Sequence, residues 1–186
     1  MKLVLHLRTI LGSTLSSAFG SQSATYSSLI MQTYAALTWV GVQIYNSGTI
    51  FGIDGNIYAP SNPNSPDASV ALAADLLENW PQGPPRFFLP YMSMLNPSQV
   101  VLGYLAPNSA GQVDGGSPVI PQSTIKRAIQ CLRTAVVGPN SCDTYVPPRS
   151  YPGLGGIFAW QTYNDQNNNF GFATGLRNCV LNGNCS

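Results

Sequence analysis

Acid–base and metal chemistry have few residues to work with in this chain of 186 residues, where Glu78 is the only glutamate and His6 the only histidine. General acid catalysis needs a protonatable group held within hydrogen-bond reach of the leaving atom. Glu78 ends an amphipathic stretch just ahead of Trp80 and Pro81, where a solvated or capping role is expected. The four cysteines, Cys131, Cys142, Cys179 and Cys185, contain no CxxC pair. With a single histidine beside them they do not form a zinc ligand pattern, so no metal and no cofactor are expected. Local pairing, Cys131 with Cys142 and Cys179 with Cys185, would close two short loops and imply a secreted protein. Four buried free thiols are the alternative.

Composition narrows the partners. Charged residues make up 8% of the chain and the formal net charge is +1, so there is no broad basic surface to neutralise phosphates and nucleic acid is not expected as a partner. Asn, Gln, Ser, Thr and Tyr take the place of charge, a neutral hydrogen-bonding surface suited to an extracellular protein that handles neutral polymers. Hydrophobic residues at 44% are enough for an ordinary core. No segment approaches the roughly 18 uninterrupted apolar residues of a membrane span. Met1 to Gly20 superficially resembles a signal peptide, but His6 and Arg8 interrupt its apolar run. Leu3, Leu7, Ile10 and Leu11 fall at helical spacing before Gly12, so this opening is read as a helix.

The elements that must position any site follow in order. Leu15 to Phe19 is a short strand-like run, and Tyr26 to about Ala36 is helical. Thr38 to Tyr45, TWVGVQIY, reads as a strand rich in β-branched and aromatic residues, closed by Asn46, Ser47 and Gly48. A long loop through Asn62, Pro63, Asn64 and Pro66 leads to a helix from Asp67 to Trp80, with Asp67 placed to cap it. Gln99 to Leu105 is the next strand, Pro121 to Thr134 a helix, and Gly156 to Thr162 the last strand. A polar loop and a helix near Phe172 to Val180 complete the chain. Alternation of this kind implies parallel βαβ units with right-handed crossovers. Four such units are half of an eightfold barrel, and a half barrel has two open edges that call for a partner. A small doubly wound sheet is the simpler architecture with the same pattern.

Three strand ends carry a family resemblance. WVGVQIYNSG resembles the sixth strand of family 18 glycoside hydrolases, the chitinases; VVLGYLAPNSAG resembles the seventh, with Tyr104 and Leu105 where a leucine and a proline are usual. GGIFAWQTYND resembles the eighth, and LVLHLRTILGSTLSSAF the fourth helix and fifth strand. The resemblance covers nearly the whole chain. It implies an α/β fold, a parallel (β/α) barrel of the TIM type, of which residues 1–186 form the C-terminal half as one domain. It also implies that Tyr45 hydrogen-bonds the N-acetyl carbonyl of a sugar, with Gln43 and Asn46 beside it. Trp160 would form the floor under the same sugar, since an indole plane complements the apolar C–H face of a pyranose. A tryptophan packed in the core is the plainer reading.

The family's acidic motif, DxxDxDxE, does not occur in these residues. In the family its glutamate protonates the leaving oxygen, and its last aspartate orients the acetamido group that acts as nucleophile. Asp165 is expected to shape the loop after the last strand, and Asp54 and Asp114 to lie in cleft-side loops within reach of sugar hydroxyls. The resemblance therefore implies a chitinase-like hydrolase acting on β-1,4-linked N-acetylglucosamine polymers, of which this chain supplies the sugar platform. Chitin or its oligosaccharides are the expected ligand, and a second half-barrel chain or self-association the expected protein partner. A catalytically inactive chitin-binding protein is the alternative, and a plain α/β domain without sugar affinity the third.

Overall fold

The computed structural model describes residues 2–5, 25–46, 49–79, 92–113 and 118–186. In chain order the elements are β1 (Lys2–Leu5), α1 (Thr25–Thr33) with a 3-10 turn at Tyr34–Ala36, β2 (Trp39–Gln43), β3 (Ile50–Phe51) and β4 (Ile57–Tyr58). They continue with α2 (Asp67–Leu77), a second 3-10 turn at Pro97–Gln99, β5 (Val100–Leu105) and α3 (Gln122–Thr134). The chain ends with β6 (Gly156–Trp160), α4 (Thr162–Asn167) and α5 (Gly171–Asn182). Strands β1, β2, β5 and β6 lie in that order in one sheet, and every neighbouring pair is parallel. Strands β3 and β4 form a separate antiparallel pair.

Parallel register decides which side chains meet. Val40 pairs with Val100 and Val42 with Leu102, which in turn pairs with Ile157. Successive strand residues point to opposite faces, so Val40, Val42, Ile44, Val100, Leu102 and Tyr104 all face the helices and enter the core. Helix α2 is buried at every position, which its Ala- and Leu-rich sequence permits, while α3 buries Ile125, Ala128, Ile129 and Leu132 at helical spacing. The other sheet face carries Gly41, Gln43, Val101, Gly103, Leu105, Phe158 and Trp160.

Long-range hydrogen bonds hold the connections. The amide of Gln99 donates to the Tyr34 and Leu37 carbonyls at 3.0 and 2.7 Å, joining the start of β5 to the segment before β2. Cys131–Cys142 and Cys179–Cys185 are both bonded, as local pairing anticipates.

Four expectations change. Lys2–Leu5 is a strand and not the start of a helix, because its backbone pairs residue for residue with Trp39–Val42, and tertiary hydrogen bonding overrides the helical spacing of a short apolar run. The expected strand at Leu15 to Phe19 lies outside the described residues, and β1 occupies the place beside β2. Asp67 does not cap α2. Pro66 holds the N-cap position, the Ser65 hydroxyl accepts the Asp67 N–H, and the Asp67 carboxylate turns to the backbone N–H groups of Thr144 and Tyr145. The long loop before α2 contains the β3–β4 pair, and the polar loop after β6 contains α4; two-residue strands and a six-residue polar helix leave little periodicity to read.

Asp75 stands in the middle of α2, fully buried. Burial holds its carboxyl well above the usual carboxylate range, the charge of Asp54 adds to this, and the Ile53 N–H opposes it. An acid whose folded-state pKa is raised stabilises the fold fully below its unfolded pKa, about 4, and loses that contribution as pH rises toward the folded value. Asp75→Asn is expected to be more stable than the parent at pH 7, with the difference shrinking toward pH 4. Urea denaturation at several pH values measures this, and a difference that stays constant or grows on acidification would contradict it.

Candidate functional site

The C-terminal ends of β2 and β6 bring Tyr45 and Trp160 together. Leu105 of β5 pairs with Trp160, and Ile44 donates its N–H to the Gly103 carbonyl, so both strand ends are fixed to the central strand. Beyond the last pair, Ala106 donates to the Trp160 carbonyl at 2.7 Å. The rings of Tyr45 and Trp160 lie 6.3 Å apart between centroids with their planes 30° from parallel. Tyr45 is 8% exposed and Trp160 50% exposed, so the tyrosine is fixed in protein while the indole stays half in solvent. Burial raises the Tyr45 hydroxyl above its ordinary pKa, which keeps it a neutral hydrogen-bond donor at physiological pH.

Two further predicted residues flank this pair. Gln43 donates its side-chain N–H to the Tyr45 carbonyl at 2.8 Å, bracing the backbone at the end of β2. Asn46, exposed, adopts φ of 51°, a left-handed turn conformation that asparagine tolerates better than most residues.

The floor beneath these residues is aromatic, and sequence reasoning missed it. The Phe158 ring lies against Gly103 and Gly41: a Cβ built on Gly103 would fall 2.1 Å from Phe158, and one on Gly41 would fall 2.7 Å from Trp39 and 3.0 Å from Phe158. Both glycines are therefore gaps that ring atoms fill. The signal was present in the sequence, since Phe158 is two residues from Trp160 and Trp39 four from Gln43, each on the same face of its strand.

The carboxylates are otherwise committed. Asp54 lies in the β3–β4 turn, where Tyr58 donates to it at 2.6 Å and Asn56 at 2.8 Å. Partial burial works to raise its pKa, but these hydrogen bonds prevail and hold the carboxyl below the usual range. It is an anion at neutral pH and not a proton donor. Asp165 is 3% exposed and accepts the N–H groups of Phe172 and Ala173, the first turn of α5, which matches its expected role in shaping the loop. Asp114 lies outside the described residues, as does His6. Glu78 ends α2, where it accepts hydrogen bonds from Arg149 at 2.6 Å and Tyr151 at 2.8 Å. Since α2 runs back from the C-terminal ends of the strands toward their N-terminal ends, Glu78 sits at the opposite edge from Tyr45 and Trp160. Among the described residues no three His, Cys, Asp or Glu side chains gather into a metal-binding group, and no helix is long and apolar enough to cross a membrane.

The arrangement is a half-exposed indole backed by a buried tyrosine at the C-terminal rim of a parallel sheet, which is where α/β barrels keep their chemistry. Among known proteins, chitinases are similar in sequence to this chain. Chitinase D of Niallia circulans is 32% identical over 159 residues, which cover 86% of this chain and 28% of that protein. The crystal structure of the Legionella pneumophila ChiA C-terminal domain matches with a TM-score of 0.89 at 50% identity, covering 100% of this chain and 54% of that one. A family GH18 chitinase from Chromobacterium violaceum, at 20% identity and a TM-score of 0.74 over 92% of this chain and 42% of that one, shares the fold. No family model matches the chain. The chain spans little more than a quarter of the curated relative and about half of the ChiA structure.

The parallel sheet with its packed helices thus falls in the α/β class of the TIM-barrel chitinases. Within that class the chain is chitinase-like: it is similar in sequence to chitinases over most of its own length and shares the fold of a family GH18 chitinase.

Gly103→Ala tests the aromatic floor. The new methyl must displace the Phe158 ring, and overpacking of this kind costs about 1–3 kcal/mol. Denaturation midpoints should fall accordingly, and Gly103→Ala combined with Phe158→Leu should recover part of the loss; an unaltered midpoint in the single variant would refute the ring's placement.

Proposed function

We propose that residues 1–186 form the C-terminal half of a chitinase-type (β/α)8 catalytic domain, whose whole hydrolyses β-1,4 bonds in N-acetylglucosamine polymers. In this reading Trp160 is the hydrophobic floor under one sugar, Tyr45 donates its hydroxyl to that sugar's N-acetyl carbonyl, and Gln43 and Asn46 complete the wall. The observation that carries it is the Tyr45–Trp160 pair, one ring held in protein and the other half in solvent, at the strand ends where the family places its sugar. Among the described residues β1 and β6 are the outer strands of the sheet, and a second half-barrel chain or another copy would pair there. The two disulfides support an extracellular setting.

This chain by itself binds chitin oligosaccharides and does not cleave them. Cleavage needs a carboxylic acid against the leaving oxygen, and general acid catalysis contributes on the order of a hundred- to ten-thousand-fold. Asp54 is held ionised, Asp75 is sealed in the core within α2, Asp165 is occupied by backbone N–H groups, and Glu78 is tied to Arg149 at the far edge of the sheet. Stacking on an indole requires none of them and contributes roughly 0.5–1.5 kcal/mol beyond the area it buries.

Purified chain assayed with a chromogenic N-acetylglucosamine oligomer should show no turnover, while a binding titration shows weak affinity that Trp160→Ala reduces about threefold to tenfold. Turnover that survives purification and disappears on changing Asp54, Asp114 or Asp165 would sink the proposal, as would binding indifferent to Trp160.

A further inference from the structure

All four cysteines are held in the two disulfides, so the thioethers of Met31, Met92 and Met94 are the sulfurs left to react among the described residues. The fourth methionine, Met1, lies outside those residues. The three gather at the base of the sheet, at the edge opposite Tyr45 and Trp160. There the Met92 N–H donates to Met31 Sδ at 3.4 Å, and the segment from Met92 runs through the turn at Pro97–Gln99 into the start of β5.

The three sulfurs are not placed alike. Burial alternates along the segment entering β5, as it does wherever successive side chains point opposite ways. Ser93 faces the end of α2, its hydroxyl donating to the Leu76 carbonyl at 2.7 Å and its N–H to Asn79 Oδ1 at 2.9 Å, and Leu95 is buried. Met92 and Met94 therefore turn outward, 62% and 43% exposed. Met31, on α1, is partly buried and packs against the core, with its sulfur engaged by the Met92 N–H.

Placement decides both how fast each sulfur is oxidised and what its oxidation does. A thioether is attacked in the measure that solvent reaches it, and the sulfoxide that forms is polar where the thioether was apolar. At Met92 and Met94 the new oxygen projects into water and disturbs no packing. At Met31 it would stand between α1 and the segment entering β5, against the core, where a polar group without a partner is destabilising. That segment is the one Gln99 ties to the Tyr34 and Leu37 carbonyls, so Met31 sits beside the junction from which β2 and β5 both start.

We propose that Met92 and Met94 are an oxidant-scavenging site, which takes up hydrogen peroxide ahead of Met31 and so keeps the junction of α1 with β2 and β5 intact. In each event the sulfur lone pair forms an S–O bond as the peroxide O–O bond breaks. The transferred hydroxyl gives up its proton, and the departing hydroxide takes one and leaves as water. Sulfur is oxidised from thioether to sulfoxide, and one peroxide is reduced. The protection holds while oxidant is scarce, because each molecule consumed at the surface is one that does not reach Met31.

The test gives the purified chain hydrogen peroxide at a dose short of its methionine content, then in excess, with sulfoxide at each methionine read by peptide mapping and mass spectrometry and a melting curve for each sample. The proteins are the parent, Met31→Leu, and Met92→Leu combined with Met94→Leu; leucine is close to methionine in volume, so the variants keep the fold. Met1 is common to all three and its peptide is read separately. At the low dose the parent should carry several-fold more sulfoxide at Met92 and Met94 than at Met31, and the double variant should carry clearly more at Met31 than the parent does. In excess peroxide the parent and the double variant should lose the same few degrees of melting temperature, and Met31→Leu none. Oxidation of Met31 as early as the other two in the parent overturns the site without reference to any variant. So does Met31 sulfoxide that is unchanged in the double variant at the low dose, or a melting loss that persists in Met31→Leu.

Discussion

The parallel register of β2, β5 and β6 is the constraint on which everything else depends. It sets Val40 against Val100 and Val42 against Leu102, and so gathers alternate residues of three strands into one apolar face for α2, α3 and α5 to cover. The same register sends the intervening residues to the other face, where Gly103 pairs with Phe158 and Leu105 with Trp160. A slip of one residue in β6 would exchange these sets, burying Trp160 against the helices and exposing Ile157. Register also carries strand ends to a common edge. Tyr45 and Trp160 come from strands that do not touch each other, and β5 between them fixes their separation.

Much of this was legible in the sequence, and the failures share a cause. Strands β2, β5 and β6 and helices α2, α3 and α5 announce themselves because each is long enough to show a period. The side chains of Tyr45 and Trp160 follow from strand ends in a parallel series. The spacing of Leu3, Leu7, Ile10 and Leu11 reads as helix, while Lys2–Leu5 taken alone fits either period; only the hydrogen-bonding partner, Trp39–Val42, which lies over thirty residues away, resolves the choice. The β3–β4 pair and α4 are too short for any period. Asp67 reads as a cap because sequence shows that an oxygen is available, and it does not show that Pro66 and Ser65 settle the helix start while the N–H groups of Thr144 and Tyr145 take the carboxylate.

The acidic residues show how a chain with so few charges spends them on structure. Asp67 and Asp165 each accept two backbone N–H groups, one of each pair, from Tyr145 and from Phe172, being buried, and a buried N–H left without a partner costs more than an exposed ion pair returns. Glu78 joins the end of α2 to the segment leading into β6 through Arg149 and Tyr151. The Arg149 side chain is 65% exposed, so the ion pair itself adds little, and the Tyr151 hydrogen bond, from a ring buried to 1% exposure, is the firmer link. Asp54 is similarly absorbed by Tyr58 and Asn56.

In the proposed reading the described side chains at the Trp160 rim, Tyr45, Gln43 and Asn46, are neutral, and this bears on what the rim would recognise. A site built from an indole, a neutral phenol and amides gains nothing from long-range electrostatic steering, so its selectivity rests on shape and on hydrogen bonds of fixed direction. Fixed direction is what the surroundings supply. Gln43 braces the Tyr45 backbone, and the Phe158 ring fills the space left by Gly41 and Gly103. Each of these contacts orders a side chain or a strand end before a ligand is present, and groups already ordered lose less entropy when they bind. A neutral polymer bound through many weak contacts is best held by such a surface, because affinity then grows with the number of units seated and not with the strength of any one.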